Sequence, residues 1–183
     1  MEQKIVYFEK AGKINTEQTL MLAKERAETL GLQKVVLSSS SGFTSRMALK
    51  IFQDTNIQLV VIGTSRAGFQ QDLLTILEQK GIPVRFSSEV EYAYPEVVMN
   101  AYRKVSEGMK VVMDLGMIVA EEELTAENKE IVAVAGTGPI GFDEGGGADT
   151  AVVMVPRKSE DFHKLPVKKE DRRDIKEIIC KPR

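Results

Sequence analysis

A chain of 183 residues, 43% hydrophobic and 28% charged, has the make-up of one globular domain able to bury roughly two-thirds of its unfolded surface without metals or disulfides. A formal net charge of -2 and a pI of about 5.6 leave no basic footprint, which argues against nucleic acid as the main partner. Cys180 is the sole cysteine and His163 the sole histidine, so neither an internal disulfide nor a Cys/His zinc site can be assembled.

The opening MEQKIVYFEKAG has too short an apolar run for a signal peptide, and no later run approaches the roughly 20 apolar residues of a membrane span. The expectation is a cytoplasmic protein without membrane contact. Residues 4–8 alternate and are rich in β-formers, which predicts a strand closed by Ala11-Gly12. Asn15 and Gln18 have capping-box spacing, and Leu20, Ala23, Ala27 and Leu30 recur at helical intervals, predicting a helix over 16–30 stopped by Gly31. Next, Val35, Val36 and Leu37 form an apolar strand that runs into Ser38, Ser39, Ser40, Ser41 and Gly42, with a helix from near Thr44 to near Gln53. The continuous apolar run 58–62 suits a parallel strand covered on both faces, and it opens into a second small polar loop, 63–68.

A helix over 71–80 halted by Gly81 and a strand over 82–86 follow, with 87–94 as loop. Pro95 suits the first turn of a helix that reaches Glu107 and ends at Gly108. In 109–123, Val111, Val112, Leu115, Ile118 and Val119 repeat at helical spacing while Met113, Met117 and Ala120 make the opposite side apolar. This reads as a largely buried helix; a buried strand is the rival, and the length favours helix. Strands over 130–135, 151–155 and 175–180 complete the pattern, the last preceded by a charged surface excursion over 157–173. Alternating strands and helices predict a single α/β domain over 1–183 with a mostly parallel sheet, reversed where two strands follow without a helix between them.

The strand, Ser loop and helix at 34–51 have the anatomy of an anion site. Small residues let backbone N–H groups approach a ligand, hydroxyls donate further hydrogen bonds, and a helix N-terminus adds roughly +0.5 of a charge. Candidate contacts are Ser38, Ser40, Ser41, Gly42, Thr44 and Ser45; the bland alternative is a polar turn that merely caps the next helix. No Lys follows the glycine, which disfavours a Walker-type nucleotide site. Thr64 and Arg66 in the neighbouring loop are candidates too, Arg66 supplying the missing cation unless it is simply solvated.

Gly136-x-Gly138-x-x-Gly141 formally matches a dinucleotide fingerprint, but the segment leads into a strand where that fingerprint requires a helix. It reads instead as a loop that closes over the ligand, with Gly136, Thr137, Gly138, Asp149 and Thr150 as contacts, or else as an idle solvent loop. His163 reads as a surface residue, Cys180 as an inert core thiol, and Glu121, Glu122 and Glu123 as a solvated helix end. Asp114, inside the apolar helix, is the acidic residue whose location needs explaining, and no general acid–base pair is identifiable.

Ser41-Gly42-Phe43-Thr44-Ser45 resembles the Ser-Gly-x-Ser/Thr-Ala loop of the C-terminal domain of pyruvate kinase. Gly145-Gly146-Gly147-Ala148-Asp149-Thr150 and the VVMVP that follows resemble that domain's closing Gly-rich loop and strand. Through KIVYFEKAGKINTE, TSRAGF and GADTA, nearly the whole chain is similar to a small family of standalone archaeal and bacterial proteins of this fold, whose function is not established. The resemblance implies a three-layer α/β/α domain around a mixed five-stranded sheet, without the barrel that carries pyruvate kinase chemistry. It puts a phosphate on Ser41, Gly42, Thr44 and Ser45, and implies flavin mononucleotide as ligand. Phe43 replaces the basic residue frequent in effector loops.

The leading expectation is a binding module that holds a phosphorylated small molecule between the loops 38–45, 63–68 and 136–150. One rival is an enzyme using the same pocket, with a flavin carrying redox chemistry or Arg66 and Asp149 serving a phosphate ester. The other is an interaction protein whose loops hold no small molecule. The sequence leaves a homo-oligomer open.

Overall fold

The computed structural model describes residues 4–138, 146–161 and 174–183. His163, most of the charged excursion and positions 139–145 of the Gly-rich segment lie outside the described residues. In chain order the elements are β1 (Val6–Phe8), α1 (Thr16–Leu30), β2 (Lys34–Ser38), α2 (Phe43–Ile51), β3 (Gln58–Gly63), α3 (Gln71–Gln79), β4 (Val84–Phe86), α4 (Glu96–Arg103), α5 (Glu107–Glu121), β5 (Ile131–Ala135), β6 (Thr150–Met154) and β7 (Ile175–Pro182). No helix among the described residues is long and apolar enough to cross a membrane.

The strands form one mixed sheet in the order β1-β7-β6-β5-β2-β3-β4. β6 runs antiparallel to both β5 and β7, and the remaining neighbours pair in parallel. Reversal thus falls where two strands follow without an α-helix among the described residues between them, as expected. The sheet has seven strands, against the five implied by the resemblance. The surplus arises partly because β1 docks alongside β7, with Val6 opposite Cys180, extending the sheet beyond its antiparallel pair.

Strand alternation divides the core in two. Val35, Leu37, Leu59, Val61, Val132, Val134 and Val153 point to one face and pack against Leu20, Ala23 and Ala27 of α1, Ala48 of α2 and Leu73, Leu74 and Leu77 of α3. Val36, Val60, Ile62, Ile131, Ala133, Val152 and Met154 point to the other face and meet Met109, Val112, Leu115, Ile118 and Val119 of α5. Each fully buried Leu, Ile or Val contributes about 1.5–3 kcal/mol of transfer free energy. Helices therefore cover both faces, and the strands between them read as continuous apolar runs.

Several local expectations are corrected. Asn15 does not cap α1, because residues 13–15 already form a 3-10 turn and leave Asn15 in helical conformation. Its amide instead donates back to the Lys10 carbonyl at 2.7 Å. The helix expected over 95–107 is shorter, and Gly108 belongs to the first turn of α5. Ser106 caps that helix by accepting from Met109 N at 3.1 Å. Gly108 is small for a packing reason: an added Cβ would collide with the Thr150 side chain on β6. Of the three glutamates, Glu121 accepts from Ser159 N at 2.8 Å and Glu122 pairs with Arg85 at 2.6 Å, leaving Glu123 as the exposed one.

Candidate functional site

β2 and β5 are neighbours in the sheet, yet the chain leaves them in opposite directions. From β2 it passes through α2 to β3, and from β5 it turns to β6 on the far side. Such a divergence opens a crevice beyond the carboxyl ends of the strands, where open α/β sheets bind ligands. Here the crevice is a cleft of about 300 Å³, lined by the ends of β2, β3 and β5 and by the inner face of α5. That volume lies at the small end of ligand pockets.

One wall is the loop between β2 and α2. Gly42 starts the helix with φ +97°, and a Cβ there would sit 2.6 Å from Leu73 Cδ2, so the turn needs glycine. Ser39 turns inward and its Oγ accepts from Ser45 N at 3.2 Å, capping α2 from six residues back. The amides of Phe43 and Thr44, also in the first turn, have no partner among the described residues. Thr44, 2% exposed, lines the cleft and its hydroxyl has no partner among them either. Ser40 and Thr64 share a hydrogen bond at 2.8 Å across the ends of β2 and β3, and Ser87 Oγ donates to the Thr64 carbonyl at 3.3 Å. At the rim, Lys13 Nζ lies 4.2 Å from the centroid of the Phe43 ring, bringing a cation to the aromatic side chain that lines the cleft.

The opposite wall is α5. Val111, Leu115 and Ile118 present an apolar surface, interrupted by Lys110 and Asp114. These two form an ion pair of 2.5 Å, and Tyr94 OH donates to the other carboxylate oxygen at 2.8 Å. Burial pushes the Asp114 carboxyl above its usual range, with Lys110 and Tyr94 pulling it back in part. Burial, reinforced by Asp114, pushes the Tyr92 phenol up to about 12 and raises Tyr94 further. Glu107 at the mouth is held by Arg103 at 3.1 Å.

Of the residues singled out in the sequence, Ser38, Ser40, Ser41, Thr44, Thr64, Gly136 and Gly138 line this cleft together. The others sit around it. Ser45 is buried beneath the first turn with its hydroxyl unpartnered. Arg66 turns to Glu89 at 3.3 Å and lies over the Phe86 ring, so the cation expected from this loop is engaged elsewhere. Asp149 is fully buried and ties three segments together. Its Oδ2 accepts from Gly12 N at 2.7 Å and from Thr137 Oγ1 at 2.6 Å, and its Oδ1 accepts from Thr150 Oγ1 at 2.9 Å. Thr137, Asp149 and Thr150 therefore brace the cleft from behind. Lys110 was missed by the sequence reading. Its signal was a Lys and an Asp four residues apart on an otherwise apolar helix, a spacing that puts them on one face. No family model matches the chain.

Proposed function

We propose that this chain binds a phosphorylated small molecule in the cleft at the β2–β5 divergence, with the phosphate on the first turn of α2. The observation that carries the reading is that turn. Its Phe43 and Thr44 amides and the hydroxyl of Thr44, a residue 2% exposed, are without partners among the described residues, and Lys110 lines the same cleft. Backbone amides at a helix N-terminus, hydroxyls and one ammonium are the donor set a phosphate monoester needs.

Flavin mononucleotide is the compound to try first. Its phosphate matches the donors of the α2 turn, its hydroxylated chain the Ser and Thr side chains, and its ring the apolar α5 wall beside Tyr92. Bound there, it would supply hydride and single-electron chemistry of its own. Membership of the pyruvate kinase C-terminal-domain-like group belongs to the same proposal. It is supported by the way Ser41 and Thr44 from one quoted motif and Gly146 and Gly147 from the other meet at this cleft. Of the two enzymatic alternatives, the phosphate-ester one relies on Arg66 and Asp149, and both are held by other partners, whereas the flavin-dependent one uses this same pocket.

Titrating flavin mononucleotide and watching its fluorescence tests the reading, with riboflavin as the phosphate-free control. Saturable quenching by wild type with flavin mononucleotide but not riboflavin is expected. Thr44→Glu puts a carboxylate against the phosphate and weakens binding by about 100-fold, because like charges brought together cost several kcal/mol. Unchanged affinity in a folded Thr44→Glu protein refutes this placement of the phosphate.

A further inference from the structure

Lys110 is the one cation among the described residues lining the cleft, and it is already engaged. Its partner Asp114 is enclosed: the two side chains are 17% and 10% exposed. The groups that face Asp114 can be named. Lys110 comes from α5 itself, Tyr94 and Tyr92 from the segment ahead of α4, and Arg103 from α4, where it is held by Glu107. Across the cleft the β2–α2 loop presents serine and threonine hydroxyls, which do not titrate in the working range.

A phosphate monoester at the α2 turn competes for Lys110 with two charges against the single charge of Asp114. Lys110 and Thr44 of the α2 turn line this same cleft, and the ammonium sits on a flexible four-carbon stem. Once Lys110 turns away, Asp114 keeps the Tyr94 hydroxyl as its hydrogen-bond partner, and Arg103, which is paired with Glu107, acts on it only through space. A buried carboxylate that has lost its paired cation takes a proton rather than stay ionised.

This inference rests on the phosphate reading above. We propose that a seating phosphate dianion draws Lys110 off Asp114 and that Asp114 takes up one proton from solvent, so the site selects dianionic esters and binds each together with a proton. The exchange balances: Lys110 keeps its own protons and moves its charge to the ligand, and the proton gained at Asp114 is released by the buffer. The direction in which burial already pushes Asp114, even beside Lys110, is the direction this needs.

Titration calorimetry of the full chain with flavin mononucleotide, between about pH 7 and 8.5 where the phosphate is already dianionic, provides the test. Inorganic phosphate, which is still losing its second proton in this range, is the second probe and reports binding alone. In wild type the dissociation constant rises up to tenfold per pH unit, and the measured enthalpy differs between Tris and PIPES by about one proton's worth of buffer ionisation. Asp114→Asn binds as tightly or more tightly, with no pH or buffer dependence, while Lys110→Met loses at least tenfold in affinity. Wild-type binding with equal enthalpies in both buffers, or an Asp114→Asn protein that keeps the wild-type pH slope, overturns proton uptake and leaves the phosphate reading standing. Failure of both probes to bind overturns both.

Discussion

Replacing Asp149 separates a residue that shapes the site from one that touches the ligand. Its carboxylate accepts from Gly12 N at 2.7 Å, Thr137 N at 3.3 Å, Thr137 Oγ1 at 2.6 Å and Thr150 Oγ1 at 2.9 Å, and no cation among the described residues pairs with it. Asp149→Ala strands two backbone amides that cannot turn elsewhere, at about 1–3 kcal/mol each, while the threonine hydroxyls can rotate to other partners. With the lost charge-assisted bonds the expected cost is about 3–5 kcal/mol. In a chain of 183 residues that lowers Tm by about 10 °C. Asp149→Asn keeps one carbonyl oxygen for the Gly12 and Thr137 amides and lets Thr150 accept instead of donate, so about 1–2 kcal/mol is expected. Urea denaturation of the three proteins measures the order. An Asp149→Ala protein within about 1 kcal/mol of wild type refutes the bracing role.

Arg66→Ala leaves flavin mononucleotide affinity within twofold of wild type and stability within about 1 kcal/mol, since its pair with Glu89 is half-exposed; a fluorescence titration that shows a large loss returns Arg66 to the site. Phe86→Ala removes a fully buried ring that packs edge-on to Phe69 at 5.8 Å, costing about 3–5 kcal/mol in urea denaturation. Burial pushes the Cys180 thiol up to about 12, well above an unfolded cysteine. Its labelling by a thiol reagent at about pH 8 should therefore be slow until urea unfolds the chain, and rapid labelling of the native protein contradicts the burial. The same shift has a sign in stability. The unfolded thiol ionises first, so stability is intact below about pH 8.5 and falls by up to about 1.4 kcal/mol per pH unit as pH rises towards the folded value. Cys180→Ala removes that slope.

The secondary structure was legible where one physical signal dominated. Period-3.6 apolar spacing and a terminal glycine gave α1 its observed bounds, Thr16–Leu30, apolar runs located β2 and β5, and the unbroken run at 58–62 marked β3 as a buried parallel strand. Errors arose where two signals competed. Asn15 has a capping side chain, but the preceding turn had already made its backbone helical. Gly108 looks like a helix stop, whereas close packing on Thr150 is what requires it; Ser106, two residues earlier, was the true start signal. At the site, the hydroxyl-rich turn at the end of β2 was readable from strand, small residues and helix in succession. Arg66 was not, because which way a loop arginine turns depends on Glu89, 23 residues away. Asp114 stood out as an acid inside an apolar helix, and Lys110 lies four residues before it. That this pair faces the cleft follows from α5 covering the face of the sheet opposite α2, a consequence of topology rather than of local pattern.

A backbone amide shift map by NMR, recorded while inorganic phosphate and then flavin mononucleotide are titrated into the labelled protein, tests the phosphate site most directly. The largest saturable shifts are expected at Phe43 and Thr44, with smaller ones at Ser40, Ser41 and Lys110 and none at Arg66. Saturable shifts confined to another part of the surface, or no saturable shift with either compound, would contradict the placement of a phosphate at the first turn of α2.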